Sequence, residues 1–278
     1  MINLLTITNQ LDVAVRCDQL PGMRLFVDLE RNGKAARQKG YDTFISTHQV
    51  GDIGRIKAVL KQAKLMVRVN PYRVDNTAAS KAEVDEVLAQ GADMIMLPMF
   101  THPQELLAFS NIVAGRVPIV PLLETAGALE SLNLWLGTPG IAEVFVGLND
   151  LHLSLGCNFM FEPLLMGHVD RVAAACRARG LRFGFGGIAR MDEGVLPGRD
   201  VLSEHVRLGS RAVILSRTFN RANNLAGDQS FEDAVAALRR TELELQRRGA
   251  AQIETDRLHT AELIAGLAEL AGAVRAAL

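Results

Sequence analysis

What most constrains this chain is a series of short apolar segments, each about the length of a β-strand, separated by longer stretches of helical period. The segments are Leu4–Thr8, Leu25–Glu30, Leu65–Asn70, Met94–Met99, Ile119–Glu124, Glu143–Leu148, Arg182–Gly186 and Ala212–Ser216. Several, such as MIMLPM and VFVGL, are almost continuously apolar, the pattern of strands buried on both faces. Between them, DIGRIKAVLKQA, SKAEVDEVLAQG, HPQELLAFSNIVAG and LLMGHVDRVAAACRARG carry apolar residues at helical spacing. Gly91, Gly115, Gly180 and Gly209 follow such stretches, where helices close. Eight strands alternating with helices over 278 residues predict an α/β protein, one (β/α)8 barrel of the TIM type. A doubly wound open sheet would need a glycine fingerprint opening its first helix, and the sequence has none there. Asp42–His48 (DTFISTH) is assigned to a long connection after the second strand, because counting it as a strand would make nine.

The barrel is expected over residues 1–250, with an additional C-terminal helix over 251–278. Phe231–Gly249 reads as a long charged helix. Leu263, Leu267, Leu270, Val274 and Leu278 then form a stripe that would pack on the barrel or on a partner subunit, so a homo-oligomer is expected. With 30 basic against 31 acidic residues, the balance gives no polyanion-binding surface, and no nucleic-acid partner is expected. Cys17, Cys157 and Cys176 fit neither a disulfide framework nor a zinc knuckle. No apolar stretch reaches the roughly 20 residues that span a bilayer. MINLLTITNQLD also lacks the basic start of a signal peptide, so a cytoplasmic protein without membrane contact is expected.

In such a barrel the reactive groups sit at the carboxyl ends of the strands. Those ends carry Thr8 and Asn9, Glu30 and Arg31, Arg68 and Asn70, Met99, Glu124, and Asn149 with Asp150; the last two carry Gly186–Gly187 and Ser216–Arg217. Glu124 and Asp150 follow neighbouring strands, about 5 Å apart, within reach of one hard cation. Oxygen ligands without cysteine favour Mg²⁺ or Mn²⁺ over zinc. Such a cation could hold both oxygens of a 2-oxo acid and stabilise its enolate. Equally, acids after strands can simply cap the next helix. Arg68 is placed to bind a carboxylate or a developing oxyanion. All six lysines lie between Lys34 and Lys81 and none ends a predicted strand, which excludes a Schiff-base lysine on this strand assignment.

PLLETAGALESL (Pro121–Leu132) and VFVGLNDLHLSLG (Val144–Gly156) resemble the paired signatures of the HpcH/HpaI aldolase and citrate lyase β-subunit family. FVDLERNGKAARQ (Phe26–Gln38) resembles that family's second strand and the lysine–arginine segment after it. MVRVNP (Met66–Pro71) and GADMIMLPM (Gly91–Met99) resemble its third and fourth strands. The resemblance implies a metal-dependent carbon–carbon lyase or aldolase on a phosphoenolpyruvate/pyruvate-type barrel. Glu124 and Asp150 would be the Mg²⁺ or Mn²⁺ ligands, and Arg68 would contact the carbonyl or enolate oxygen. The backbone around Asn149, with Gly147 and Leu148 before it, would receive the substrate carboxylate. The partner would be a small-molecule 2-oxo acid or a related acyl substrate.

Three departures qualify the likeness. Arg31 stands where the family's hydroxy-acid aldolases carry a histidine base, and where the citrate lyase-like branch has a second acid. Leu122 stands where the aldolases have glutamine. An arginine at position 31 suggests an added anionic group on the substrate. His48 is the nearest substitute base, or else a capping histidine. His152 could orient a metal-bound water or pack in its loop. The glycines of GFGG (Gly184–Gly187) could admit a phosphate or allow close packing, and Arg190 and Arg217 could line the mouth. A CoA-ester lyase and a non-catalytic metal- and carboxylate-binding barrel are the alternative functions.

Overall fold

Strands buried on both faces need a layer of helices outside them, and a closed parallel barrel supplies it without leaving an edge. In the computed structural model, which describes residues 1–32, 47–219 and 230–276, the strands close in chain order into a parallel barrel. They are β1 (Asn3–Ile7), β2 (Met23–Asp28), β3 (Lys64–Arg68), β4 (Met94–Leu97), β5 (Ile119–Leu123), β6 (Glu143–Val146), β7 (Arg182–Ile188) and β8 (Ala212–Leu215). Each coincides with an apolar segment of the sequence to within a few residues, and every residue of β2, β4, β5 and β6 is buried. Residues 42–46 of the expected long connection, the lysine–arginine segment Lys34–Arg37 and Leu278 lie outside the described residues.

The helices after the first strands are α1 (Leu11–Asp18), α2 (Val50–Val59), α3 (Thr77–Ala89) and α4 (Pro103–Val113). They are followed by α5 (Ala126–Glu130), α6 (Leu132–Trp135), α7 (Leu148–Ser154), α8 (Glu162–Leu165) and α9 (His168–Ala178). The last are α10 (Gly198–Leu208), α11 (Phe231–Gln246) and α12 (Ala250–Ala276). Contacts divide the chain into two compact units, Leu5–Phe145 and Met1–Leu4 with Val146–Leu278.

Within Leu5–Phe145, β2 to β5 pair in parallel with an unbroken register. Side chains take over where helices leave donors unpaired. Asn76 caps α3 by accepting from the Ala79 N–H, and Asp18 accepts from the N–H groups of Lys61, Gln62 and Ala63. Arg24 at the start of β2 and Glu143 at the start of β6 form a buried fork of 2.8 and 3.1 Å. These strands are not neighbours in the barrel order, so the pair bridges non-adjacent strands at their amino ends.

In the other unit, β7 carries a bulge against β8 between Gly184 and Gly187. A Cβ on Gly184 would collide with the Ala212 carbonyl oxygen, so this glycine serves close strand packing. Gly167, at φ 74°, breaks the expected single helix of residues 164–180 into α8 and α9. Glu242 of α11 is buried and accepts the Ile2 N–H at 2.8 Å, while Arg239 donates to the Ile2 carbonyl at 2.6 Å; together they tie down the first strand.

The C-terminal stripe is only partly covered within the chain. The buried positions of α12 are Thr260, Ile264 and Ala268, whereas Leu270 and Val274 are 67% and 63% exposed. The face buried within the chain is turned by about one residue from the leucine stripe. Among the described residues, no helix is long and apolar enough to cross a membrane.

Candidate active site

Strand register sets the centre of the site, because Asp28 and Arg68 are direct partners across β2 and β3 and each is the last residue of its strand. Arg68 donates from Nε to Asp28 Oδ1 at 2.8 Å and from Nη2 to Oδ2 at 2.7 Å. Its Nη1 lies 3.3 Å from Glu30 Oε2, and the guanidinium carbon is 5.8 Å from the centre of the Phe26 ring. Asp28 and Glu30 are buried. Burial disfavours the charged guanidinium, but Asp28, then Glu30 and Glu124, outweigh it and hold the Arg68 pKa above its ordinary value. The fork fixes the guanidinium plane and leaves an N–H on each terminal nitrogen for a further acceptor.

Glu124 follows β5 and is 2% exposed. Its Oε1 accepts the Met99 N–H at 3.0 Å, and Met99 adopts φ 56°. A left-handed backbone is costly for a methionine and is retained where the surroundings demand it; here it aims an N–H at a carboxylate. The next residue, Thr125, caps α5 by accepting from the Ala128 N–H, which fixes the turn after the strand.

His48 is buried, and its Nδ1 accepts the Asp28 N–H at 3.1 Å. That bond requires an unprotonated Nδ1, so the neutral ring carries its proton on Nε2. The lone pair that a base would use is engaged in holding the end of β2. Arg31 is exposed, and its Nη2 donates to the His48 carbonyl at 2.7 Å.

Asp28, Glu30, Arg31, His48, Arg68, Met99 and Glu124 therefore belong to the unit Leu5–Phe145. Gly147, Leu148, Asn149 and Asp150 belong to the other. There Gly147 is the N-cap of α7, with no side-chain cap, and Asp150 sits in the first turn of that helix. β5 and β6, the strands preceding Glu124 and Asp150, are neighbours in the barrel order. Among the described residues, no group of three or more His, Cys, Asp or Glu side chains has the arrangement of a metal site.

Other sequence candidates have structural positions. His152 Nδ1 contacts the Leu148 carbonyl one turn earlier at 3.2 Å, and burial lowers its pKa. Arg190 is buried, with Nε 3.4 Å from the Phe219 carbonyl oxygen. Lys64 begins β3 and so lies at the opposite end from the reactive groups. Sequence reasoning passed over Asp28 as a partner of Arg68 and Met99 as a backbone donor. The signal for Asp28 was present, since a carboxylate inside the apolar run LFVDLE needs a buried cation or donor. Nothing in the sequence announces the positive φ of Met99.

Comparison with known proteins agrees with this architecture. The sequence profile of the HpcH/HpaI aldolase/citrate lyase family matches residues 25–192. No curated protein sequence matches the chain. A solved HpcH/HpaI aldolase/citrate lyase family protein from Burkholderia cenocepacia is 16% identical with a TM-score of 0.61, covering 89% of this chain and 95% of its own. An HpcH/HpaI aldolase from Desulfitobacterium hafniense is 16% identical with a TM-score of 0.58, covering 77% and 86%. A citrate lyase from Burkholderia xenovorans is 14% identical with a TM-score of 0.59, covering 92% and 80%. At these identities the structural likeness speaks to the fold.

Proposed function

Because the chain belongs to the HpcH/HpaI aldolase/citrate lyase family, we propose that it is a Mg²⁺- or Mn²⁺-dependent carbon–carbon lyase or aldolase acting on a 2-oxo acid or a related acyl substrate. One observation carries the reading. A buried carboxylate at the end of β5, Glu124, is held by the N–H of a left-handed Met99 and lies in the field of an arginine already forked to Asp28.

The donor chemistry fits a hard cation, since carboxylate oxygens suit Mg²⁺ and Mn²⁺. Glu124 and Asp150 would be the protein ligands, a set sufficient for Mg²⁺, which commonly takes one or two carboxylates and fills its other positions with substrate and water. When bound, the cation would supply positive charge to the oxygens of a pyruvoyl group.

The chain's own residues then have distinct tasks. Arg68 offers its remaining N–H groups to the oxygen that gains charge as the carbon–carbon bond breaks. Asp28 and Glu30 keep it from turning away, so little reorganisation accompanies the charge. His48 is a positioning residue: by accepting the Asp28 N–H it fixes the end of β2. The backbone at Gly147, Leu148 and Asn149, in the uncapped first turn of α7, would receive the substrate carboxylate.

The test is proton–deuterium exchange at the methyl group of pyruvate, followed by NMR with and without Mg²⁺ or Mn²⁺. The expected result is metal-dependent exchange that disappears in Glu124→Ala and in Asp150→Ala. If the protein binds Mn²⁺ through these residues and still exchanges no protons, pyruvate chemistry is wrong and an acyl-CoA substrate or a binding role takes its place.

A further inference from the structure

A cavity of about 160 Å³ lies between α12 and the helices α8, α9 and α10, within the unit that contains Val146–Leu278. Leu164 of α8 and Ile264 of α12 give it a buried apolar lining. Thr260 lines it too; this residue is 1% exposed, and its Oγ1 has no hydrogen-bond partner among the described residues. A threonine inside a helix ordinarily returns its hydroxyl to the carbonyl one turn back. Thr241 and Thr255 do so here, donating at 3.0 Å to the Ala237 and Ala251 carbonyls. Thr260 does not. A buried hydroxyl left unpaired is costly, so its place beside a cavity points to a partner that enters from outside the chain.

The rest of the lining is charged, and the charges balance. Asp170 and Glu204 face Arg207, which donates from Nη1 to Asp170 Oδ1 at 2.6 Å and from Nε to Glu204 Oε1 at 2.9 Å. Arg257, also on the lining, is forked to exposed Glu254 through Nε and Nη2, at 2.8 and 2.6 Å. These bonds leave capacity of both kinds. Arg257 keeps the N–H groups of Nη1, and the Asp170 oxygens keep lone pairs beyond those that Arg207 occupies. A ligand with one charge would unbalance this partly buried set, whereas a ligand with one charge of each sign adds none. A cavity of about 150 Å³ admits a benzene-sized molecule, so a ligand of about six to eight heavy atoms fits.

We propose that this cavity binds a small α-amino acid as its zwitterion. The ammonium group lies on Asp170 and the Thr260 hydroxyl, the carboxylate on Arg257, and a short apolar side chain against Leu164 and Ile264. The site shares no residue with the candidate active site and does not depend on the function proposed above. Because one wall is α12 and the others are α8, α9 and α10, the occupied site also fastens the C-terminal helix.

The experiment titrates the protein by calorimetry with L-alanine and L-valine. Isobutylamine and 3-methylbutanoate, which are valine without its carboxylate and valine without its amine, are the controls. Saturable binding of at least one of the two amino acids is expected, with each singly charged control at least about ten-fold weaker than valine. Thr260→Val removes only the unpaired hydroxyl. It should weaken amino-acid binding about ten-fold, while the unliganded variant stays at least as stable in urea as the unchanged protein. Arg257→Gln should weaken valine but not isobutylamine, and Glu124→Ala should bind valine unchanged.

Four results would overturn the proposal. Isobutylamine or 3-methylbutanoate binding as tightly as valine would make the site one for a simple cation or anion. Amino-acid binding that survives Thr260→Val would place the ligand elsewhere. Binding lost in Glu124→Ala would place it in the candidate active site. No binding of either amino acid would mean that water alone serves the Thr260 hydroxyl.

Discussion

Lowering the pH from about 7.5 to about 5 should cost this protein roughly 2 kcal/mol more than it costs a His205→Phe variant. His205 is completely buried in α10, stacked on Phe185 with ring centroids 3.7 Å apart and planes within 2°. Its Nδ1 lies 2.7 Å from Ser210 Oγ, which itself donates to the Ala212 carbonyl, so the imidazole is the donor in that pair. Nε2 has no partner. Protonation would put a charge in an apolar pocket, and burial pushes the His205 pKa down to about 3. In the unfolded chain the ring titrates near 6.5, so below that pH the unfolded state takes up a proton that the native state refuses. The stability is intact above about pH 6.5 and falls as the pH drops toward the native value. At about pH 5 the unfolded ring favours protonation about thirty-fold, which is about 2 kcal/mol, a sizeable share of a typical 5–15 kcal/mol. Phenylalanine keeps the stacking on Phe185 and removes the proton site. His152, also lowered by burial, titrates in both proteins and cancels from the difference. The assay is urea unfolding of both proteins at the two pH values. Equal losses in the two would refute the claim that a neutral, buried His205 governs the acid limb.

Two further outcomes follow from particular contacts. Glu143→Ala leaves the Arg24 guanidinium buried without its fork, and should cost about 3–5 kcal/mol by urea unfolding, whereas Arg24→Met with Glu143→Leu should recover most of that loss. Ala114 ends α4 at φ 52°, so Ala114→Gly should raise stability by up to about 1 kcal/mol, with a higher midpoint and an unchanged slope.

The strands were legible because burial on both faces writes itself into local composition: MIML and IVPLL are apolar throughout, and every residue of both is buried. Strand ends were legible too, which brought Glu124, Asp150 and Arg68 forward as candidates. The C-terminal helix was legible as a helix, but not which of its faces the chain itself covers. Leucine spacing shows which residues could form an apolar face, but within the chain the buried positions of that helix are Thr260, Ile264 and Ala268.

The sequence by itself determined the alternation of strands and helices, and the acids and arginine that end those strands, because these are properties of a few consecutive residues. Only the tertiary structure decided that Asp28 claims Arg68, forty positions away, and that Arg24 finds Glu143, 119 positions away. It also decided that Asp28 gives its N–H to the lone pair of His48 and that Met99 bends to serve Glu124. Such partners are chosen by register and barrel closure, which bring distant residues to one level. No local periodicity records which of the many possible buried pairs that closure will form.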